Sequence, residues 1–421
     1  MNKESTIVKG KKYLFVTYHF HPNGDANSVI TYNIAKELIA RGAIVTVLYI
    51  TDRRINIKEF DGINLEPIYI PTIRYIKLLW SEFKTHPIET FSLVTQKILT
   101  YPLNYLLGYK KLSAEYFSVI KYRRKIKKHF INKTNDYFIA TLEPIEAAIA
   151  MLQAKRQSDV FALYQMDTFW NNAIKNPNYQ QNRIQCERKL AKECLFNLTT
   201  EQISQTSAEF YENEPDKLIK SEFPMMIKPD IKKLVNNGTI KKCVFTGTLY
   251  ADIRPPENII KIIAELKMKD VQFDFYGLHQ ELIQKDPLYQ QAKEYINLHG
   301  VVETKEAERV RQTADFLINI DNTCVEQVPS KIFEYIATGK PIINFYFNKN
   351  SAILKHMEKY PLKTNIFIGK QFELSEACEK ICEFISTAHG KNVPYDTVER
   401  IYEENTPQYV ANQLISAYNR F

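Results

Sequence analysis

The chain alternates two kinds of apolar pattern. Short runs of β-branched and aromatic residues give way to stretches whose apolar residues recur every three or four positions. "YLFVTYHF" (Tyr13 to Phe20) is a strand pattern, and the turn-rich "HPNGDANS" follows it. "VITYNIAKELIARG" then sets Ile30, Ile34 and Leu38 at helical spacing, with Gly42 as the stop. "AIVTVLYI" (Ala43 to Ile50) is strand-like again. Strand, helix and strand within about 38 residues predict a βαβ unit and a parallel sheet. "YFIATL" (Tyr137 to Leu142) and "VFALYQM" (Val160 to Met166) are further strand candidates.

The second half alternates more regularly. "CVFTGTLY", "VQFDFYG", "INLHGVV", "DFLINID", "PIINFYF" and "NIFIG" are strand candidates, separated by helical stretches such as "PENIIKIIAELKMK" and "KEAERVRQTA". This predicts a second doubly wound α/β unit. The junction is expected near Lys220 to Lys233, where prolines interrupt both periods, and "TPQYVANQLISAYNRF" reads as a terminal helix. Two Rossmann-like domains facing each other leave a crevice at the carboxyl ends of their strands, where open α/β sheets bind ligands.

Composition narrows this only slightly. A length of 421 residues exceeds what one core usually holds, which favours two domains. A formal charge of +8 suits anionic partners and does not choose between nucleotides, anionic lipid and nucleic acid. The six cysteines show no C-x-x-C spacing and accompany no histidine cluster, as expected of reduced thiols in a cytoplasmic protein. The first apolar run is too short for a signal peptide, and no stretch reaches the roughly 18 apolar residues of a membrane span. Membrane contact would have to be peripheral.

The candidate chemistry sits in "EQVPSKIFEYIATGKPII", Glu326 to Ile343. Glu326 falls in the loop after the strand "DFLINID". Val328-Pro329-Ser330 starts a helix, Ile332, Phe333 and Ile336 give it an apolar face, and Gly339 ends it. The amides of Ser330 and Lys331 stand at the helix N-terminus, which suits a phosphate, and Lys331 adds a full charge. Glu334 lies one turn from Ser330 and can accept hydrogen bonds from a ribose diol, while Glu326 reaches the other end of the same ligand. Diol, diphosphate and polar sugar are the groups of a nucleotide-sugar in order. From the pattern alone, two exposed carboxylates on an ordinary helix and loop are an equal reading.

E-x7-E followed by "GKPII" resembles the donor-site signature of retaining GT-B glycosyltransferases, notably family 4. "KKYLFVTYHFHPNGDANSVITYNIAKELIARGAIVTVLYI" resembles the family's first βαβ unit, "VFTGTLYADIRPPENIIKII" the start of its donor domain, and "INLHGVVETKEAERVRQTADFLINI" the segment before the glutamates. The resemblance covers residues 12–50 and 240–345 well and 55–135 hardly at all. It implies an α/β fold of two Rossmann-like domains facing a central cleft. The first is an acceptor-side domain, 1–225, and the second a nucleotide-sugar donor domain, 226–421. The C-terminal helix is free to cross back to the first.

The resemblance also implies roles. Glu326 would touch the sugar or the reacting end of the donor, and Glu334 the ribose. Gly300 and Val301 would present backbone to the nucleobase. Gly247 and Thr248 would line the phosphates, and Arg254 and Lys331 would neutralise them. Thr248 stands where the family usually has an Arg, and Arg254 falls about one residue past the family's Lys, so one cation is missing from the pattern. On the N-terminal side Gly24 permits one close backbone approach, and His19, His21 and Asp25 could contact acceptor or donor beside the plain reading of loop residues. With His19, Glu143 (as a catalytic group) and Asp167 (acceptor-contacting or structural) are the acceptor-side candidates. No D-x-D occurs, so fixed cations rather than a metal are expected at the diphosphate, and no cofactor is expected.

Residues 67–133 lie outside the resemblance. They are rich in Tyr, Phe, Leu and Ile and contain "KYRRKIKK", six basic residues in eight. Basic charge beside aromatics suits an anionic membrane surface or a lipid-linked acceptor, and equally amphipathic helices with a solvated basic face. RNA is disfavoured because nothing else resembles a nucleic-acid module. The leading reading is a cytoplasmic glycosyltransferase of polysaccharide or glycolipid assembly, peripheral to the membrane. A catalytically silent GT-B scaffold in an assembly complex is the alternative, and a nucleotide-sugar epimerase a third. A nicotinamide dehydrogenase is disfavoured because no G-x-G-x-x-G follows a strand.

Overall fold

The computed structural model describes residues 8–20, 26–51, 57–70, 83–84, 87–142, 145–166, 177–229, 238–325 and 327–421. The chain divides into two compact units, Met1–Pro224 with Pro407–Phe421, and Met225–Thr406.

Among the described residues, eight strands form the sheet of unit 1. They are β1 (Lys12–Thr17), β2 (Ile44–Thr51), β3 (Glu59–Phe60), β4 (Ile63–Tyr69), β5 (Tyr137–Thr141), β6 (Ala162–Gln165), β7 (Asn197–Thr199) and β8 (Leu218–Lys220). Their order is β3-β4-β2-β1-β5-β6-β7-β8, and every pair is parallel except the β3–β4 hairpin. Parallel strands covered on both faces must be apolar almost throughout. β1 and β2 show this, with Leu14, Val16, Val45, Val47 and Leu48 fully buried. The helix Tyr116–Asn132 turns Val119, Tyr122, Ile126 and Phe130 onto this core.

Unit 2 holds a six-stranded, all-parallel sheet of β9 (Lys241–Thr246), β10 (Val271–Tyr276), β11 (Ile296–Gly300), β12 (Phe316–Ile320), β13 (Ile342–Tyr346) and β14 (Lys363–Phe367). Its order is β11-β10-β9-β12-β13-β14, so the direction of winding reverses between β9 and β12. On one face, Phe273, Phe275, Ile318, Ile343 and Phe345 pack with Ile259, Ile263, Ile381 and Ile385 from the helices Glu257–Leu266 and Leu374–Ala388. The other face carries three asparagines in register. Asn319 donates to Asn344 at 2.7 Å, and Asn344 donates to Asn365 at 2.8 Å, which links β12, β13 and β14 by side chains as well as backbone.

The unit boundary at Pro224/Met225 lies within the junction expected from the prolines. The expected second domain, 226–421, differs from unit 2 by its last helix, Pro407–Arg420, which packs in unit 1. Tyr418 sits among the rings of Tyr13, Tyr137 and Phe196, with centroids 6.3, 4.3 and 4.9 Å away, and donates its hydroxyl to the Phe138 carbonyl. Arg41 holds the Gln408 carbonyl and the Asn412 amide oxygen. The strands β3, β4, β7 and β8 have no counterpart in the sequence reading. β3, β7 and β8 are two or three residues long, too short for a period to show.

Candidate functional site

In unit 2 the strand ends nearest the reversal carry the candidate donor residues. Gly247 and Thr248 follow β9, and Asp321 and Asn322 follow β12. Ligands of doubly wound sheets bind at such a reversal, where two loops diverge and leave room between them. Glycines follow β9 and β10, and β11 beside them ends in one. Gly247 donates to the Tyr276 carbonyl at 2.9 Å, and Gly277 donates to the Gly300 carbonyl at 2.7 Å. Gly277 has a φ of +133°, and a Cβ there would lie 1.8 Å from the Gly247 carbonyl oxygen, so only glycine fits.

Arg254 closes the loop after β9. Its guanidinium donates to the Thr248 carbonyl at 3.1 Å and to Asn322 Oδ1 at 2.7 Å, so it ties the loop after β9 to the loop after β12. Thr323 adds two bonds, from its amide to the Ile253 carbonyl and from its hydroxyl to the Asp252 carbonyl. Arg254 Nε is buried with no partner among the described residues, and desolvation lowers the pKa of the group. Asp321 is fully buried. It accepts a 2.6 Å hydrogen bond from Ser351, and burial pushes its carboxyl up to about 7, against the pull of Ser351, the Asn322 backbone and Arg254.

The helix that carries Ser330, Lys331 and Glu334 runs Lys331–Ala337, seven residues. It is fixed by Tyr335, whose buried hydroxyl accepts from the Thr246 amide at 2.9 Å and lies 3.1 Å from the Thr246 carbonyl. Ser330 precedes the helix without a side-chain cap. The Ile332 and Phe333 amides turn back to Pro329 and Ser330, so the first turn is tight. Glu334 pairs with Arg311 at 3.1 Å, with side chains 22% and 10% exposed. Lys331 is exposed by surface area, yet desolvation is the leading cause that lowers its pKa. Glu334 opposes that, and Arg311 and Arg254 reinforce it by repulsion. Lys331 therefore feels both Arg311 and Arg254.

Arg311 was not foreseen. It lies on the helix Thr304–Thr313, beside the stripe Ala307, Val310 and Ala314. A basic residue next to the apolar side of an amphipathic helix is the signal that sequence offered. Gly300 uses its amide on Gln280 Oε1 at 3.0 Å, and Val301 beyond it is exposed. Nearby, Tyr276 and His299 stack with centroids 4.1 Å apart and planes 3° from parallel, and His299 bonds to the buried Asp274 at 2.8 Å.

Glu326, Gly24, His21, Asp25, Glu143 and Asp167 lie outside the described residues. His19 is half-buried just beyond β1 in unit 1, its ring tilted 59° to that of Tyr18 with centroids 4.2 Å apart, and its carbonyl accepts from Ser28. Unit 1 also holds a buried polar cluster. Glu187, on the helix Pro177–Glu193, accepts from Gln165 at 3.1 Å and from Ser207 at 2.9 Å, and Gln165 accepts from Asn197. Burial pushes the carboxyls of Glu187 and Glu146 up to about 7.

Two Rossmann-like units, with ligand-type residues at the reversal of the second sheet, define the GT-B fold. Solved structures bear this out across the chain. HepE of Anabaena, solved with UDP, superimposes with a TM-score of 0.61 at 14% identity, over 97% of this chain and 100% of that one. Sucrose-phosphate synthase of Thermosynechococcus elongatus gives 0.60 at 12%, over 97% and 98%. A putative UDP-N-acetylglucosamine 2-epimerase from Listeria monocytogenes gives 0.58 at 11%, over 97% and 96%. No protein-family model matches the chain, and no curated protein does.

Proposed function

We propose that the chain is a glycosyltransferase. It moves a sugar from a nucleotide-sugar bound at the β9/β12 reversal to a glycan or lipid-linked acceptor, in polysaccharide or glycolipid assembly. The observation that carries this reading is Arg254 tying together the two loops at that reversal, with the Arg311–Glu334 pair on the helix that follows and Lys331 repelled by both arginines. Crowded cations repel one another and are tolerated best where an anion will sit between them. A diphosphate supplies that charge. As the sugar leaves, negative charge builds on the diphosphate, and cations fixed by the fold stabilise it without rearranging. Arg311 then fills the place of the cation that the sequence pattern lacked.

Glu334, held by Arg311, is the acceptor for ribose hydroxyls, and Glu326 is the group for the sugar. Retention of configuration follows the resemblance to family 4. The UDP in the HepE structure favours UDP as the nucleotide. A cytoplasmic site on the inner face of the membrane fits a lipid-linked acceptor.

Thermal shift with UDP, GDP, ADP and their sugars tests the reading, because a ligand of the native state raises its melting temperature. UDP should raise it. Glu334→Ala and Arg311→Ala should each weaken UDP about tenfold, roughly 1.4 kcal/mol. A chain that responds to no nucleotide is a scaffold instead. Conversion of a UDP-sugar to its epimer without acceptor would place it with the epimerases, whose fold it shares.

A further inference from the structure

The helix Pro87–Leu106 in unit 1 shows water a broad apolar surface. Phe91, Ile98, Leu99, Tyr101, Tyr105 and Leu106 are each 62–78% exposed, and Leu107 beyond it is 54% exposed. The spacing places Phe91, Ile98, Pro102 and Tyr105 on one stripe, with Leu99 and Leu106 beside it. Single exposed leucines need no explanation, but a contiguous band of this kind marks a contact surface. Its other side is held. Asn104 accepts from the Tyr116 amide at 2.7 Å, which fixes the end of this helix to the start of the helix Tyr116–Asn132.

We propose that this helix docks the protein on the surface of an anionic lipid bilayer, its apolar stripe lying among the acyl chains just below the headgroups. Charge selects this occupant. Lys110 stands over the Tyr101 ring at 5.6 Å, so a cation borders the apolar band, and Lys111 follows it, exposed. The adjoining helix turns its apolar residues into the core and exposes Arg124, Lys125, Lys127 and Lys128. An apolar face edged by lysine and arginine is the pattern of an interfacial helix. A second copy of the chain fits less well, because a two-fold contact through this face would bring the same lysines together. Among the described residues no helix is long and apolar enough to cross a membrane, so the contact is in the plane of the surface. The sequence places any membrane contact within 67–133; in this proposal the inserting part of that range is the helix Pro87–Leu106, and the basic run 121–128 meets the headgroups.

Flotation of the full chain with vesicles tests this. Wild type should float with phosphatidylcholine vesicles containing phosphatidylglycerol. Leu99→Glu with Leu106→Glu should lower the bound fraction about tenfold or more. Lys110→Ala with Lys111→Ala should weaken binding to anionic vesicles and remove part of its salt sensitivity. All of these side chains are exposed, so the melting temperature and the response to UDP should not change. Wild type that stays with the soluble fraction overturns the proposal. So does binding that neither variant alters, or a dimer in sedimentation velocity that Leu99→Glu with Leu106→Glu makes monomeric. Because the UDP response is read in parallel, failure of docking and failure of the nucleotide reading are separable.

Discussion

Single residues divide sharply in how legible they were. Glu334 and Lys331 could be placed because spacing alone sets them on one short helix after a strand. Arg311 could not, because its partner is 23 residues away and only the fold brings the two within 3.1 Å. Glu187 was equally hidden, since nothing local says that a helical glutamate will face Gln165 and Ser207. Its burial has a pH consequence. An ordinary glutamate titrates at 4.5, and this one at about 7, because burial penalises its charge. Between those values the folded chain binds a proton that the unfolded chain releases. Its contribution to stability is therefore full below pH 4.5 and is lost as pH rises toward 7. Glu146 and Asp321 act in the same direction. Melting temperature should fall from pH 5 to pH 7.5, and Glu187→Gln should flatten that slope, since each such group contributes at most about 1.4 kcal/mol per pH unit.

At the scale of elements, periodicity found most of the long strands and helices, and missed the seven-residue β4 as well as the short β3, β7 and β8. It also read β12, β13 and β14 as ordinary apolar strands, although each carries an asparagine on the same face. Only register reveals that these three meet in a row. A one-residue slip of β13 would turn Asn344 to the opposite face and strand both neighbours, so the row fixes register as well as adding bonds. Asn344→Ala should cost about 1–3 kcal/mol, because it leaves the buried amide of Asn319 and the half-buried amide of Asn365 unmatched. Denaturant unfolding would measure it. Asn344→Asp, which keeps an acceptor for Asn319 and loses the donor to Asn365, is expected to be destabilised as well.

For the whole molecule, the alternation of strand and helix along the sequence already implies two parallel sheets. By pattern alone the last helix fits either unit, and it is the resemblance that leaves it free to cross back to the first, where it packs. Its partners are aromatic rings of β1, β5 and the residue before β7, about 280 or more residues earlier for the first two. Removal of 407–421 should uncover Tyr13, Tyr137 and Phe196, lower the melting temperature of unit 1 and produce aggregation on heating. Light scattering during a thermal ramp would register this. Unit 2, Met225–Thr406, is continuous and makes no use of that helix as part of its own body, so nucleotide binding should outlast the loss if the remaining chain stays in solution.

That closing helix also orders events during synthesis. The residues of unit 1 leave the ribosome first, but the sheet they form lacks a covering element until the final residues emerge. Unit 2 is complete in sequence before then. For the time needed to translate some 180 residues, β1 and β5, in the middle of the sheet, must keep Tyr13 and Tyr137 out of other company, which makes this surface the place where a chaperone would be most needed.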